Sequence, residues 1–154
     1  MRLNPKKNAI IKSMIYYGGI AMLIHYILAK IFFDIFHPNV KVSYHSFDTI
    51  SEEAYETLFW APIIETLLFQ YAIIELISSI SNNRILVGLL SAFSFGVWHL
   101  FDINYFLFAF GIGLYFSHVY LATKNQFNVS VANTTIIFIH FILNLRIFTL
   151  NHIF

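Results

Sequence analysis

Glu65, His99, His140 and Asn144 are polar side chains set inside separate apolar stretches of a chain that is 58% hydrophobic and only 11% charged. In hydrocarbon an ionisable side chain costs roughly 2.5 to 3.5 kcal/mol on insertion scales, so such residues face a bundle interior and serve a site. A carboxylate walled by apolar groups can take a proton from water and return it to a leaving group. An imidazole and a carboxamide can donate hydrogen bonds to the oxyanion that develops on an attacked carbonyl. Those parts suffice for amide hydrolysis. The chain has no cysteine, which excludes thiolate metal sites and a cysteine nucleophile and leaves catalysis to Glu, His, Asp or hydroxyl groups.

Local spacing brings these groups toward one another. His140 and Asn144 are four residues apart on a helix, so both face the same way and can act on one small group. Phe95 and His99 share that spacing, which lets an aromatic ring wall the pocket beside a working imidazole. Glu65 follows Ala61-Pro62, where the proline lies in a first helical turn or kinks the helix and loosens backbone near the carboxylate; Thr66 and Gln70 are its polar neighbours. Glu75, near the inner end of its span, reads as a snorkelled or helix-pairing residue, and Gly111 and Gly113 as positions of close helix packing. His25, His37, His45, His118 and His152 read as interfacial or packing residues.

The elements that must position the site are membrane helices. With 154 residues, 18 Phe, 9 Tyr, a net charge of +1 and a mean hydropathy of +0.71, the composition is that of a small polytopic membrane protein. It lacks the basic face that phosphate neutralisation requires, so nucleic acid is excluded as a partner. A basic leader (Arg2, Lys6, Lys7, Lys12) precedes an apolar stretch from Ser13 to about Phe36, too long for a signal peptide and read as a retained anchor. The polar segment from His37 to Glu56 reads as an external loop with a short interfacial helix near its end. Four more spans follow: about Thr57 to Ile80, Ile85 to Phe101, Tyr105 to Thr123, and Val131 to Leu150. The fold expected is all-α, a single membrane domain over residues 1–154 with about five transmembrane helices. The positive-inside bias puts the N-terminus, Arg84 and Lys124 on the cytoplasmic side of what is expected to be the cell membrane, with all four site residues in the outer half of the bundle.

The segment Ala61-Pro62-Ile63-Ile64-Glu65-Thr66-Leu67-Leu68-Phe69-Gln70 resembles the EExxxR motif of the CPBP intramembrane proteases, also called the CAAX-processing and bacteriocin-processing, or Abi, family. Phe95-Gly96-Val97-Trp98-His99 resembles its FxxxH motif, and His140-Phe141-Ile142-Leu143-Asn144 its HxxxN motif, in the same order. The resemblance covers a catalytic core of about residues 60–145. It implies an intramembrane endopeptidase in which Glu65 activates water, His99 orients or polarises the water or substrate, and His140 with Asn144 stabilises the oxyanion.

The sequence departs from that pattern at Thr66, where a second glutamate would stand, and at Gln70, where the arginine would stand. The double exchange removes one negative and one positive charge, so no buried charge is left unpaired. Thr66, Gln70 and Phe95 are accordingly read as supporting residues. Family members are often labelled metalloproteases, and Glu65, His99 and His140 are the zinc ligands if zinc is used. The absence of an HExxH pair favours a mechanism that requires no cofactor. The partners implied are a protein or peptide substrate at the membrane and the lipid bilayer. Two other classes compete: a non-catalytic membrane protein on the same fold, acting as an immunity factor or modulator of membrane partners, and a haem carrier with His99 and His140 as axial ligands.

Overall fold

Side chains that accept the orphan amide hydrogens of a first helical turn mark where the helices begin. In a computed structural model, which describes residues 5–35 and 47–152, five helices succeed one another with no strand among the described residues. Helix α1 spans Pro5–Ile35 among the described residues. Helix α2 (Ile50–Ser78) is capped by Thr49, whose Oγ1 accepts from the Glu52 amide at 3.1 Å, while the Glu52 carboxylate accepts from the Asp48 amide at 3.1 Å. Asn83 caps α3 (Arg84–Trp98), and Asp102 caps α4 (Ile103–Gln126) with bonds of 2.8 and 3.0 Å from the Asn104 and Tyr105 amides. Asn128 accepts from the Val131 amide at the start of α5 (Val129–His152).

Several boundaries differ from the sequence expectation. The helix expected near the end of the polar loop is the first turns of α2 itself, because the Thr49 and Glu52 caps start a helix that then runs unbroken into the apolar stretch. Helix α1 begins before Ser13, so Lys6, Lys7 and Lys12 are helical. Arg2, His37, His45 and most of the polar segment between α1 and α2 lie outside the described residues.

Helices α1, α2, α4 and α5 are long and apolar enough to cross a membrane. Helix α3 has 15 residues, a length of about 22 Å against a hydrocarbon core of about 30 Å. It stops short because the His99 amide turns to the Gly96 carbonyl at 2.9 Å and the Leu100 amide to that of Val97 at 3.1 Å, tightening the last turn.

The interior is built around α4, whose Phe116, Val119 and Tyr120 are fully buried together with Ile136 and Ile139 of α5 and Ile74 of α2. Large apolar residues such as Ile15, Leu23, Leu76 and Leu89 face outward, as lipid requires. Helices α3 and α4 pack closely at Gly113, where an added Cβ would lie 3.0 Å from Ala92 Cα and 3.2 Å from the Phe95 ring. Replacing Gly113 with valine is therefore expected to destabilise the protein by about 1–3 kcal/mol in a thermal unfolding assay. Gly88→Ala, whose Cβ meets only Ser117 Cβ at 3.8 Å, is expected to leave stability nearly unchanged. At one end of the bundle Glu75 ties α2 to α4, accepting from Lys124 Nζ at 2.6 and 2.8 Å and from the Tyr120 hydroxyl at 3.0 Å.

Candidate active site

The backbone of α2 is wound unevenly around Glu65. Pro62 has no N–H to give to the carbonyl four residues back, and its ring would press on that carbonyl. The turn before it, Glu56–Trp60, is widened to π geometry, with the Ala61 amide reaching the Glu56 carbonyl. An α-helical turn, Ala61–Glu65, follows, and then a second π stretch, Thr66–Ala72. Glu65 thus stands at the junction of two windings, an arrangement frequent at functional sites. In the second stretch the Ile73 amide bonds to the Leu68 carbonyl, while the Phe69 carbonyl accepts the Ser91 hydroxyl of α3 at 2.8 Å. Ser91 in turn accepts from Ser117 of α4 at 2.9 Å, so three helices are joined one turn from the carboxylate.

The shortness of α3 sets the depth of His99. From the end of the bundle where α2 stops and α3 and α5 start, Glu65, His99 and His140 lie about 20, 22 and 17 Å along their helices. All three consequently meet: Glu65 Oε2 lies 3.6 Å from His99 Nε2 and 3.7 Å from His140 Nε2. His99 occupies the C-cap of α3 with φ −101° and ψ 22°, outside the helical region. Its Nδ1 bonds to the Phe95 carbonyl at 2.8 Å. A carbonyl only accepts, so Nδ1 carries the hydrogen, and in the neutral ring Nε2 presents its lone pair toward Glu65.

Aromatic rings enclose this triangle. Phe95 stands with its ring centre 4.5 Å from that of His99 and 6.0 Å from that of His140, while Phe116 lies 5.2 Å from His140 and Tyr105 5.7 Å from His99. The side chains of Glu65, His99 and His140 are 12%, 15% and 7% exposed, and Glu65 Oε2 itself is buried with no hydrogen-bond partner among the described residues. Two shallow apolar grooves of about 370 and 330 Å³ flank the bundle, one lined by Phe69, Phe93 and Trp98 and the other by Leu58, Ile63 and Phe141; none of the three site residues lines either.

Asn144 takes a different place from its three companions. Its Nδ2 donates to the Thr57 carbonyl on α2 at 2.7 Å, pinning α5 to α2 one turn from His140. Thr66 and Gln70 are fully buried, and the Thr66 hydroxyl and both polar atoms of the Gln70 amide have no hydrogen-bond partner among the described residues. Sequence reasoning did not single out Thr57, Ser91, Ser117 or Tyr105. Only Tyr105 carried a signal, since Asp102 begins a helix and places Tyr105 in its first turn, next to His99.

Asn144→Ala separates two roles for that residue. If it anchors α5, the Thr57 carbonyl loses its partner and stability falls by about 1–3 kcal/mol. A residue acting only on the oxyanion would instead lower kcat by about 10²–10³ with stability unchanged. The Thr57 bond makes the first result the expected one, read by thermal unfolding beside hydrolysis rates.

Among the described residues no group of three His, Asp or Glu side chains has the arrangement of a ready-made metal site. No step below is routed through one.

A bundle of apolar helices with a carboxylate and two imidazoles converging in its interior defines a polytopic membrane protein with a buried polar site. The profile of the type II CAAX prenyl endopeptidase Rce1-like family matches residues 54–146, more than half of the chain and all of the site. The chain belongs to that family, a family of proteases within the CPBP group. No curated protein and no solved structure shows significant similarity to it.

Proposed function

We propose that this protein is an intramembrane endopeptidase that hydrolyses peptide bonds of membrane-associated protein or peptide substrates with a water activated by Glu65. The observation that carries this reading is the pair of gaps, 3.6 and 3.7 Å, between Glu65 Oε2 and the two imidazole Nε2 atoms. Both exceed a direct hydrogen bond, and Glu65 Oε2 is buried with no partner among the described residues, an acceptor that a water admitted beside the imidazoles would satisfy. Its hydrogens point to Glu65 Oε2 and to the lone pair of His99 Nε2, which aims an oxygen lone pair outward.

In the reaction the water oxygen bonds to the substrate carbonyl carbon as Glu65 takes its proton. The carbonyl oxygen becomes an oxyanion, to which His140 donates from Nε2, held in place by the Asn144 anchor on α2. Glu65 then gives its proton to the amide nitrogen, the C–N bond breaks, and a carboxylic acid and an amine leave. Phe95, Phe116 and Tyr105 keep other water out, so the developing charge is stabilised at low dielectric.

The test is purified protein in lipid nanodiscs with a library of tagged membrane-anchored peptides, products being identified as new termini by mass spectrometry. Site-specific new termini are expected; none from any peptide would overturn the proposal. Cleavage is also expected to survive a strong zinc chelator, whereas loss that zinc alone restores would contradict the metal-free step. A non-catalytic role as an immunity factor or modulator is the second reading, favoured by the uncharged Thr66 and Gln70 beside Glu65.

A further inference from the structure

Arg146 is a guanidinium within a membrane-spanning helix, and among the described residues it has no carboxylate counterion. All eight Asp and Glu residues lie among the described residues, and none comes within ion-pair reach of it. What it touches is the seam between α5 and α1. Its Nη1 donates to His25 Nδ1 at 2.7 Å, and its guanidinium carbon lies 5.7 Å from the centre of the Tyr26 ring. Because arginine has no acceptor, His25 Nδ1 must accept, and the neutral ring carries its hydrogen on Nε2, a buried donor with no partner among the described residues. His25 itself is 5% exposed and fixed edge-on against Phe108, so the guanidinium is held firmly on that side, while Arg146 as a whole is half-buried.

Tyr26 is 48% exposed, and Lys30 Nζ lies 6.0 Å from the same ring. Lys30 is neutralised by Asp34 at 2.5 Å, which leaves the seam one net positive charge. Arg146 lies six residues before the end of α5, about 9 Å along the helix, a depth from which a long side chain reaches the headgroup layer. It is also turned away from the active site: six residues after His140 and two after Asn144, it looks toward α1 while those residues look toward α2. A substrate held at Glu65 is thus on another face of α5.

We propose that this seam binds the phosphodiester headgroup of a membrane phospholipid. Two non-bridging oxygens match the planar fork of donors that the His25 bond leaves unused, and one negative charge balances the one unpaired cation. The phospholipid acts as a structural ligand joining α1 to the α2–α5 core, independently of any hydrolytic activity.

The experiment is native mass spectrometry of the full chain in mild detergent, titrated with dioleoylphosphatidylglycerol or with dioleoylglycerol, which has the same tails and no phosphate. Wild type is expected to bind the phospholipid at least about tenfold more tightly, and Arg146→Gln to reduce its affinity to the dioleoylglycerol level. Arg146→Lys is expected to retain part of the preference. Equal binding of the two lipids by wild type would overturn the proposal, and this arm does not depend on any variant folding. It would also be overturned by an unchanged preference in Arg146→Gln. Displacement of the lipid by millimolar inorganic phosphate would make this a free-anion site, and displacement by an acidic peptide a peptide site; either would overturn it.

Discussion

Replacing Glu65 with glutamine is expected to lower peptide-bond hydrolysis by about 10²–10⁴-fold while the protein still folds and inserts. The two side chains have nearly the same shape, so the packing of Phe95 and the two imidazoles around position 65 is kept. What is lost is a group that can take a proton from water and deliver it to the departing nitrogen. The carboxamide also offers an N–H where the water hydrogen must point. Rates on a reconstituted substrate, with thermal unfolding as the folding check, measure the effect; a variant within a few-fold of wild type would remove Glu65 from the chemistry.

His99→Ala is expected to produce the second-largest loss, about 10²-fold or more in kcat with KM little changed. In the proposed mechanism the imidazole holds the water beside Glu65, and the ring is fixed by its bond to the Phe95 carbonyl at 2.8 Å. Alanine removes the acceptor and leaves a gap that a second, disordered water can fill. Phe95→Leu tests the same geometry indirectly: the wall between the two imidazoles shortens, and a smaller fall in kcat is expected. Steady-state kinetics on matched amounts of inserted protein separate the two. A rise in KM with kcat preserved in His99→Ala would assign His99 to substrate binding instead.

The all-α bundle was legible because apolar stretches of bilayer length are the strongest signal a sequence carries. The meeting of Glu65 with His99 and His140 was legible because the three sit in order in family-like motifs. The extent of α3 was not: Leu100 and Phe101 continue its apolar stretch by composition, and only the turn of the His99 amide to Gly96 reveals the stop. The π windings of α2 were equally hidden, since a shift from four- to five-residue hydrogen bonding leaves no mark in hydropathy; Pro62 was the sole clue, and it pointed to the right place. Asn144 shows the other limit. Its spacing from His140 fixed which way it faces, but its partner is a backbone carbonyl 87 residues away, and a main-chain acceptor has no residue type to read. Thr66 and Gln70 are buried without charge, consistent with the balanced exchange seen in the sequence, and their side-chain polar atoms have no partner among the described residues.

The central claim is that Glu65 makes this chain a peptidase of the membrane. Its most direct test compares the peptides recovered from membranes carrying equal amounts of wild type and of the Glu65→Gln variant, each with the same tagged substrate library. The expected result is a set of cleavage products that appears with wild type and is absent with the variant. The same products at the same yield from both would contradict it.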